Sequence, residues 1–266
     1  MSTEVVRVAA VGDLHAAKAM VAGALAPVFA QVAERADVLA LCGDLTDTGQ
    51  PEEARFLVRE LAVAKVPVVA VLGNHDYESE RADEVRQILS EAGVTVLDGD
   101  SCELRGVGFA GVKGFAVGFG ERALQSWGEP ILKAFVREAV EEALKLEGAL
   151  ARLRTPHRIA LLHYSPIRAT VADEPSEIAA FLGSSRLEDP LNRYPVTAAF
   201  HGHAHRGAPE GRTATNVPVY NVALPLLRRH FPNDPPFRVI VVGVDRTNGA
   251  SAPRVQAGAG LGATIP

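Results

Sequence analysis

Five times along this chain a short apolar run ends in a tight turn carrying Asp, Asn or His. The turns are Gly12-Asp13-Leu14-His15, Gly43-Asp44-Leu45-Thr46-Asp47, Gly73-Asn74-His75-Asp76, His163-Tyr164-Ser165-Pro166 and His201-Gly202-His203-Ala204-His205. The runs before them are Val5–Val11, Val38–Cys42, Pro67–Leu72, Arg158–Leu162 and Ala198–Phe200, each of strand length. In an α/β sheet, side chains just beyond the carboxyl ends of parallel strands converge on one crevice. The pattern therefore predicts an α/β fold with five loops facing a common cavity. Six of the eight histidines fall in these five segments, a concentration that scattered structural histidines would not produce.

Between the runs the apolar period becomes helical. Ala16–Arg35 reads as an Ala-rich helix. Pro51 opens a second one reaching about Ala62, with Glu52 and Glu53 in its first turn, and Glu80–Ala92 is a third, stopped by Gly93. This βαβ rhythm predicts parallel strands with helices packed on the sheet. The middle of the chain departs from it. Thr95–Leu97, Glu103–Leu104 and Val107–Gly111 read as a meander of short strands turning at Asp98-Gly99-Asp100, and Gly106–Gly120 reads as loop. Glu129–Leu153 is a long helix whose Ile131, Leu132, Phe135, Val136, Val140, Leu144 and Leu150 form a packing stripe. Strands return at Arg158–Leu162, Thr197–His201, Val219–Val222 and Val239–Val244. Residues 1–245 read as one domain, with 106–153 a candidate lid or accessory insertion and 246–266 a Gly/Ala/Pro-rich tail.

Composition excludes several classes of function. A hydrophobic content of 47% over 266 residues is enough for a core without covalent staples, and two cysteines are too few for a disulfide framework. Cys42 sits in an apolar run and reads as a small buried hydrophobe. The first residues lack the basic region of a secretory leader, and nothing approaches the apolar length of a membrane span, so a cytoplasmic protein with no membrane partner is expected. A net charge of −5 argues against coating nucleic acid.

The residue types in the five turns suit transition metals. Imidazole nitrogen with carboxylate oxygen, and no cysteine nearby, favours manganese, iron, zinc or nickel over calcium. Asp-x-His lets both side chains reach one ion, and His203 with His205 can serve one ion or two. Gly12, Gly43, Gly73 and Gly202 permit sharp bends and close approach to a ligand.

The ordered set Asp-x-His, Gly-Asp-x-x-Asp, Gly-Asn-His-Asp, His and Gly-His-x-His resembles the signature of the calcineurin-like metallophosphoesterase superfamily, from Gly12 to His205. The resemblance implies an αββα sandwich of two mixed sheets flanked by helices. It also implies that Asp13, His15 and His205 bind one metal, that Asn74, His163 and His203 bind a second, and that Asp44 bridges both. Manganese and iron are the first expectation for the pair, with zinc or nickel as alternatives. The implied reaction is hydrolysis of a phosphate ester by a metal-bridging hydroxide. His75 contacts the phosphate or the leaving oxygen, and Asp76 beside it is available to orient it. Two divalent ions against Asp13, Asp44 and a hydroxide leave a positive centre that a singly charged diester would neutralise.

Around this core, Arg206 and Arg168 are candidate phosphate contacts, Arg212 lies in a nearby Gly-rich turn, and Tyr164 is a candidate stacking surface for a base. Asp47 reads as a cap or a support for Asp44, and His201 as a packed histidine rather than an eighth ligand. The run from Gly43 to Glu53 together with Gly73–Asp76 is similar to bacterial cyclic-nucleotide phosphodiesterases of the superfamily, although Arg206 stands where those enzymes often carry Thr. The expected substrate is thus a small phosphodiester of nucleotide type. A phosphomonoesterase and a nuclease share the same metal core, but the nuclease would need a basic track that Arg228-Arg229 alone does not supply. A non-catalytic scaffold would have lost ligands that this chain retains.

Overall fold

Residues 3–245 are described by the computed structural model, and the tail expected at 246–266 lies outside them. The chain runs β1 (Thr3–Val11), α1 (Ala26–Arg35), β2 (Val38–Cys42), α2 (Pro51–Leu61), β3 (Val68–Val71), α3 (Ala82–Glu91), β4 (Val94–Val96), β5 (Asp100–Leu104), β6 (Val107–Gly111) and α4 (Pro130–Arg152). It continues through β7 (Arg158–Leu161), α5 (Ser176–Ala179), α6 (Glu188–Arg193), β8 (Ala198–His201), β9 (Glu210–Arg212), β10 (Pro218–Asn221), α7 (Leu224–His230) and β11 (Arg238–Asp245). One sheet has the order β11-β1-β2-β3-β4 and the other β5-β6-β7-β8-β10-β9. Both are mixed. β11 runs antiparallel to β1, β5 to β6 and β9 to β10, while the central strands are parallel.

The two-residue period of a strand sorts the side chains into layers. In β1, Ala9 and Val11 face outward with Phe29, Val32, Leu57 and Leu89 of the first three helices. Val8 and Ala10 face inward, where Val38, Ala40, Val69 and Val71 meet Phe109, Ile159, Leu161 and Phe200 of the second sheet. On that sheet's far side, Ala110, Ala160 and Ala199 pack against Leu146, Ala149 and Leu150 of α4 and Leu191 of α6. The result is helix, sheet, sheet, helix, as the motif resemblance implies. Truncating Phe109 or Phe200, both fully buried between the sheets, would cost about 3–5 kcal/mol.

Four sequence expectations are corrected. Residues Ala16–Leu25 are not helical. The Ala16 amide is taken by the Leu45 carbonyl and its own carbonyl by the Asp47 amide, which ties the segment to the second loop. The helix starts at Ala26 because the Glu60 carboxylate of α2 accepts the amides of Gly23, Leu25 and Ala26 at 2.8–2.9 Å. The middle strands do not form a meander, since β4 joins the first sheet beside β3 whereas β5 and β6 open the second, and Leu97–Gly99 is the crossover. The strand expected at Val107–Gly111 is β6, so the loop expected over 106–120 begins only after it. Finally, Ile131 and Leu144 of the α4 stripe are exposed; Val136 and Leu150 are buried as expected, and Ala139, Glu142, Leu146 and Ala149 complete the buried face. The buried Glu142 accepts the Gly114 amide at 2.7 Å and the Lys145 ammonium at 2.6 Å. Among the described residues, no helix is long and apolar enough to cross a membrane.

Candidate metal centre

The five chemistry-bearing turns leave the carboxyl ends of β1, β2, β3, β7 and β8 and are bound to one another by their backbones. The amides of Asp13, His15 and Ala16 donate to the carbonyls of Gly43, Asp44 and Leu45 at 2.9–3.0 Å, so the first two turns run side by side. The His203 amide donates to both oxygens of Asp13, and the His75 amide to Oδ1 of Asp44. Gly202 donates to the His163 carbonyl. A side chain at Gly73 would collide with the Asp44 amide and carboxylate, and one at Gly202 with the Asp13 carboxylate. Asp13, His15, Asp44 and His203 have φ of +55°, +44°, +47° and +68°. That left-handed backbone costs about 1–2 kcal/mol at each non-glycine residue, and the surrounding sheets hold it.

Three groups of donor atoms result, each with its atoms within 4.8 Å of one another: Asp13, His15 and His205; Asp44, His163 and His203; and His15, Asp47 and His75. His205 Nε2 lies 2.9 Å from Asp13 Oδ1. Asp44 stands between the first two groups. Its Oδ2 is 3.8 Å from His15 Nε2, and its Oδ1 is 3.3 Å from His163 Nε2. Asn74 Oδ1 is 2.9 Å from the same His163 nitrogen. His15 Nε2 is buried with no hydrogen-bond partner. A buried acceptor left unpaired beside carboxylates and imidazoles is the chemistry of a metal ligand, so the donor set fits a pair of transition-metal ions.

Carbonyl acceptors fix one nitrogen of each of three imidazoles as a donor, because a carbonyl can only accept. His163 donates from Nδ1 to the Cys42 carbonyl at 3.1 Å, leaving Nε2 toward Asp44 and Asn74. His203 donates from Nε2 to the Phe181 carbonyl at 3.3 Å, leaving Nδ1 as its ligand atom. His75 donates from Nδ1 to the Asp47 carbonyl at 2.7 Å. Such outer partners orient ligands and raise their basicity. Burial works against charge on Asp44, but the His163 imidazolium and the His75 amide outweigh it and hold the carboxyl well below its usual range. Burial likewise opposes charge on His163, and the Asp44 carboxylate reverses it, to about 9. His203 is pushed down to about 3 by burial and by the His163 charge. The hydrogen bond that His205 donates to the Asp13 carboxylate raises its pKa.

The seven residues read from the sequence as ligands thus come together, and the His75 ring stands 4.6 Å from that of His15. Other expectations change. Asp76 does not orient His75. It is fully buried and accepts the amides of Leu45, Thr46 and Gly73 and the Thr46 hydroxyl at 2.6–3.2 Å, clamping the second turn to the third. Burial pushes its carboxyl up, and these donors work the other way. Tyr164 is only 8% exposed, its ring 4.4 Å from that of His203, so it packs the ligand and offers no open stacking face. Arg168 is exposed in the turn Arg168–Val171, and Arg212 is committed to the Asn216 carbonyl. Only Arg206 among these cations reaches the site. It lines a cavity of about 260 Å³ with His203, His205, Glu174, Pro175, Ile178 and Leu182. His201 turns both ring nitrogens to Thr170 and to the Gly202 carbonyl, and burial lowers it to about 4. The apolar wall at Pro175–Leu182 and the support from Phe181 carried no chemical signature in the sequence, since one is hydrocarbon and the other a backbone carbonyl.

The family model of the calcineurin-like phosphoesterases matches residues 6–207. Among solved structures, the phosphopantetheinyl hydrolase PptH of Mycobacterium tuberculosis superposes with a TM-score of 0.60 at 18% identity, covering 92% of this chain and 98% of that one. A protein of Thermus thermophilus superposes with a TM-score of 0.52 at 16% identity, covering 84% of this chain and 92% of that one. At these identities the likeness is one of fold. No curated protein sequence matches.

Proposed function

Because the chain belongs to the calcineurin-like phosphoesterase family, and is therefore a metal-dependent phosphoesterase, we propose that it is a binuclear phosphodiesterase acting on a small nucleotide-type ester. The observation that carries this reading is Asp44, one of whose oxygens faces the His15 donor group and the other the His163 donor group. Asp13, His15 and His205 would hold one ion, and Asn74, His163 and His203 the other, with Asp44 shared. Manganese and iron suit this imidazole–carboxylate set first, zinc or nickel next. When bound, such a pair polarises the phosphoryl oxygens and supplies a nucleophile at neutral pH for in-line displacement.

The chain's own residues do the rest. His75 has its Asp47 and Glu78 partners on Nδ1, so in the imidazolium form Nε2 carries the second proton and is the nitrogen left to give it to the leaving oxygen. Arg206 is a cation at the cavity edge suited to a phosphate oxygen. Pro175, Ile178 and Leu182 make an apolar wall on which an ester arm can lie with water excluded. One guanidinium on that wall suits a singly charged diester and gives no basic track for a polynucleotide. The test compares p-nitrophenyl phosphate with bis(p-nitrophenyl) phosphate, using protein stripped of metal and refilled with manganese. Preference for the bis-ester supports the proposal. Preference for the mono-ester makes the protein a phosphatase on the same core, and turnover of neither defeats the reading.

A further inference from the structure

Two residues beyond the end of β6, Lys113 is joined to the metal centre by its backbone. Its carbonyl accepts the amides of both His163 and Tyr164, at 3.0 and 3.1 Å. Its ammonium lies among three aromatic rings, 4.9 Å from Phe115, 5.4 Å from Tyr164 and 5.7 Å from Tyr77. Tyr77 follows His75 and Asp76, and Tyr164 follows His163, so the third and fourth metal-site turns each contribute a wall. Tyr164 contacts both, its ring 5.4 Å from the ammonium and 4.4 Å from the His203 ring. The cluster therefore borders the His163–His203 side of the centre.

Carboxylates act on this charge only from a distance. The ammonium donates to the neighbouring Gly114 carbonyl at 2.8 Å, and among the described residues no carboxylate forms an ion pair with it. Glu142, Glu138 and Asp98 face it through space, but Glu142 is already held by Lys145 and the Gly114 amide, and Asp98 by Arg86 and Lys145. Burial pushes the Lys113 pKa down, with Glu142, Glu138 and Asp98 working against it. Aromatic faces attract an ammonium, but they do not replace a counter-ion. A methionine would fill the same space without bringing a charge out of water. An ammonium kept here is explained if an anion arrives with the substrate.

We propose that Lys113 binds a second anionic group of the substrate, a phosphate or carboxylate outside the scissile ester, at the rim of the metal centre. The inference rests on the phosphoesterase reading and narrows its substrate class to esters carrying two separate anionic groups. It also gives the segment 106–153 a part in substrate choice, through Lys113 and Phe115.

The test measures binding to the manganese-loaded full chain by calorimetry, with adenosine 5′-monophosphate and adenosine 3′,5′-bisphosphate as probes. Lys113→Met should weaken the bisphosphate about tenfold more than the monophosphate, the value of one charge-assisted contact, and Lys113→Arg should restore most of that ratio. Equal weakening of both probes, or no change in either, overturns the proposal, provided that the melting temperature shows Lys113→Met folded. Should Lys113→Met not fold, an unchanged probe ratio in Lys113→Gln overturns it instead. Failure of the phosphoesterase reading is separately visible as wild-type protein that hydrolyses neither nitrophenyl ester.

Discussion

Replacing Asp76 by Ala separates two roles that its position next to His75 invites. Its carboxylate accepts four buried donors, the amides of Leu45, Thr46 and Gly73 and the Thr46 hydroxyl. Each donor left without an acceptor costs about 1–3 kcal/mol, and water entering the vacated space would recover part of that. A net loss of about 3–5 kcal/mol is expected, comparable with breaking a buried ion pair. For a domain of this size that lowers the melting temperature by about 10 °C. Because the same donors fix the turns carrying Asp44 and Asn74, metal content should fall together with stability. The assays are thermal melting and metal analysis on one preparation, with Asp76→Asn as an intermediate that keeps the shape and one acceptor oxygen. A variant that melts within about 2 °C of wild type and keeps its metal, yet loses turnover, would falsify the clamp and return Asp76 to a direct role on His75.

Three further outcomes are expected. Asp44→Ala should remove both metals and the activity together, measured as metal content per chain, and a variant that keeps full activity ends the bridging assignment. His75→Ala should retain its metal and lose about 10²–10⁴-fold in kcat, so unchanged kinetics refute its role as proton donor. Asp98, at the crossover between the sheets, holds Arg86 of α3 at 3.0 Å and Lys145 of α4 at 3.3 Å. Burial alone would raise its carboxyl, but Lys145 and then Arg86 outweigh it and hold it below the usual carboxylate range. A depressed folded pKa stabilises above the unfolded value near 3.9, and the contribution is lost as pH falls through the folded value. Wild type should therefore lose about 1 kcal/mol on acidification below about pH 4 that Asp98→Asn does not lose, read from urea midpoints. Parallel curves for the two proteins contradict the assignment.

The site was legible in the sequence because strand ends fix where ligands sit, and the residue types at those ends state their chemistry. Asp13, Asp44, Asn74 and His163 could be assigned to one crevice without knowledge of strand order. What escaped depended on distant partners. Ala16–Leu25 has the composition of a helix, yet the second turn and Glu60 take its backbone groups. The short strands after Val94 were recognisable one by one, but which sheet each joins depends on pairing with distant strands, β4 with β3 and β6 with β7. Asp76 looked catalytic by adjacency, and only the fold shows its carboxylate turned to the amides of three other residues. The rings around Lys113 come from positions 77, 115 and 164, a spacing with no period to detect.

The antiparallel pairing of β1 with β11, in register from Thr3 opposite Asp245 to Ala10 opposite Arg238, bears on how the molecule is made. β1 carries the first ligand turn, and its partners on one flank arrive early, with β2. Its other flank has no partner until translation has passed Asp245. During that interval the nascent chain presents a long unpaired edge of β1, from Thr3 to Ala10. Closing a loop of such length is slow relative to local helix formation, so the first sheet is finished by its most distant contact. Chaperone capture or aggregation during synthesis should therefore fall on the partial chain that lacks β11, even though that strand supplies none of the seven ligand side chains.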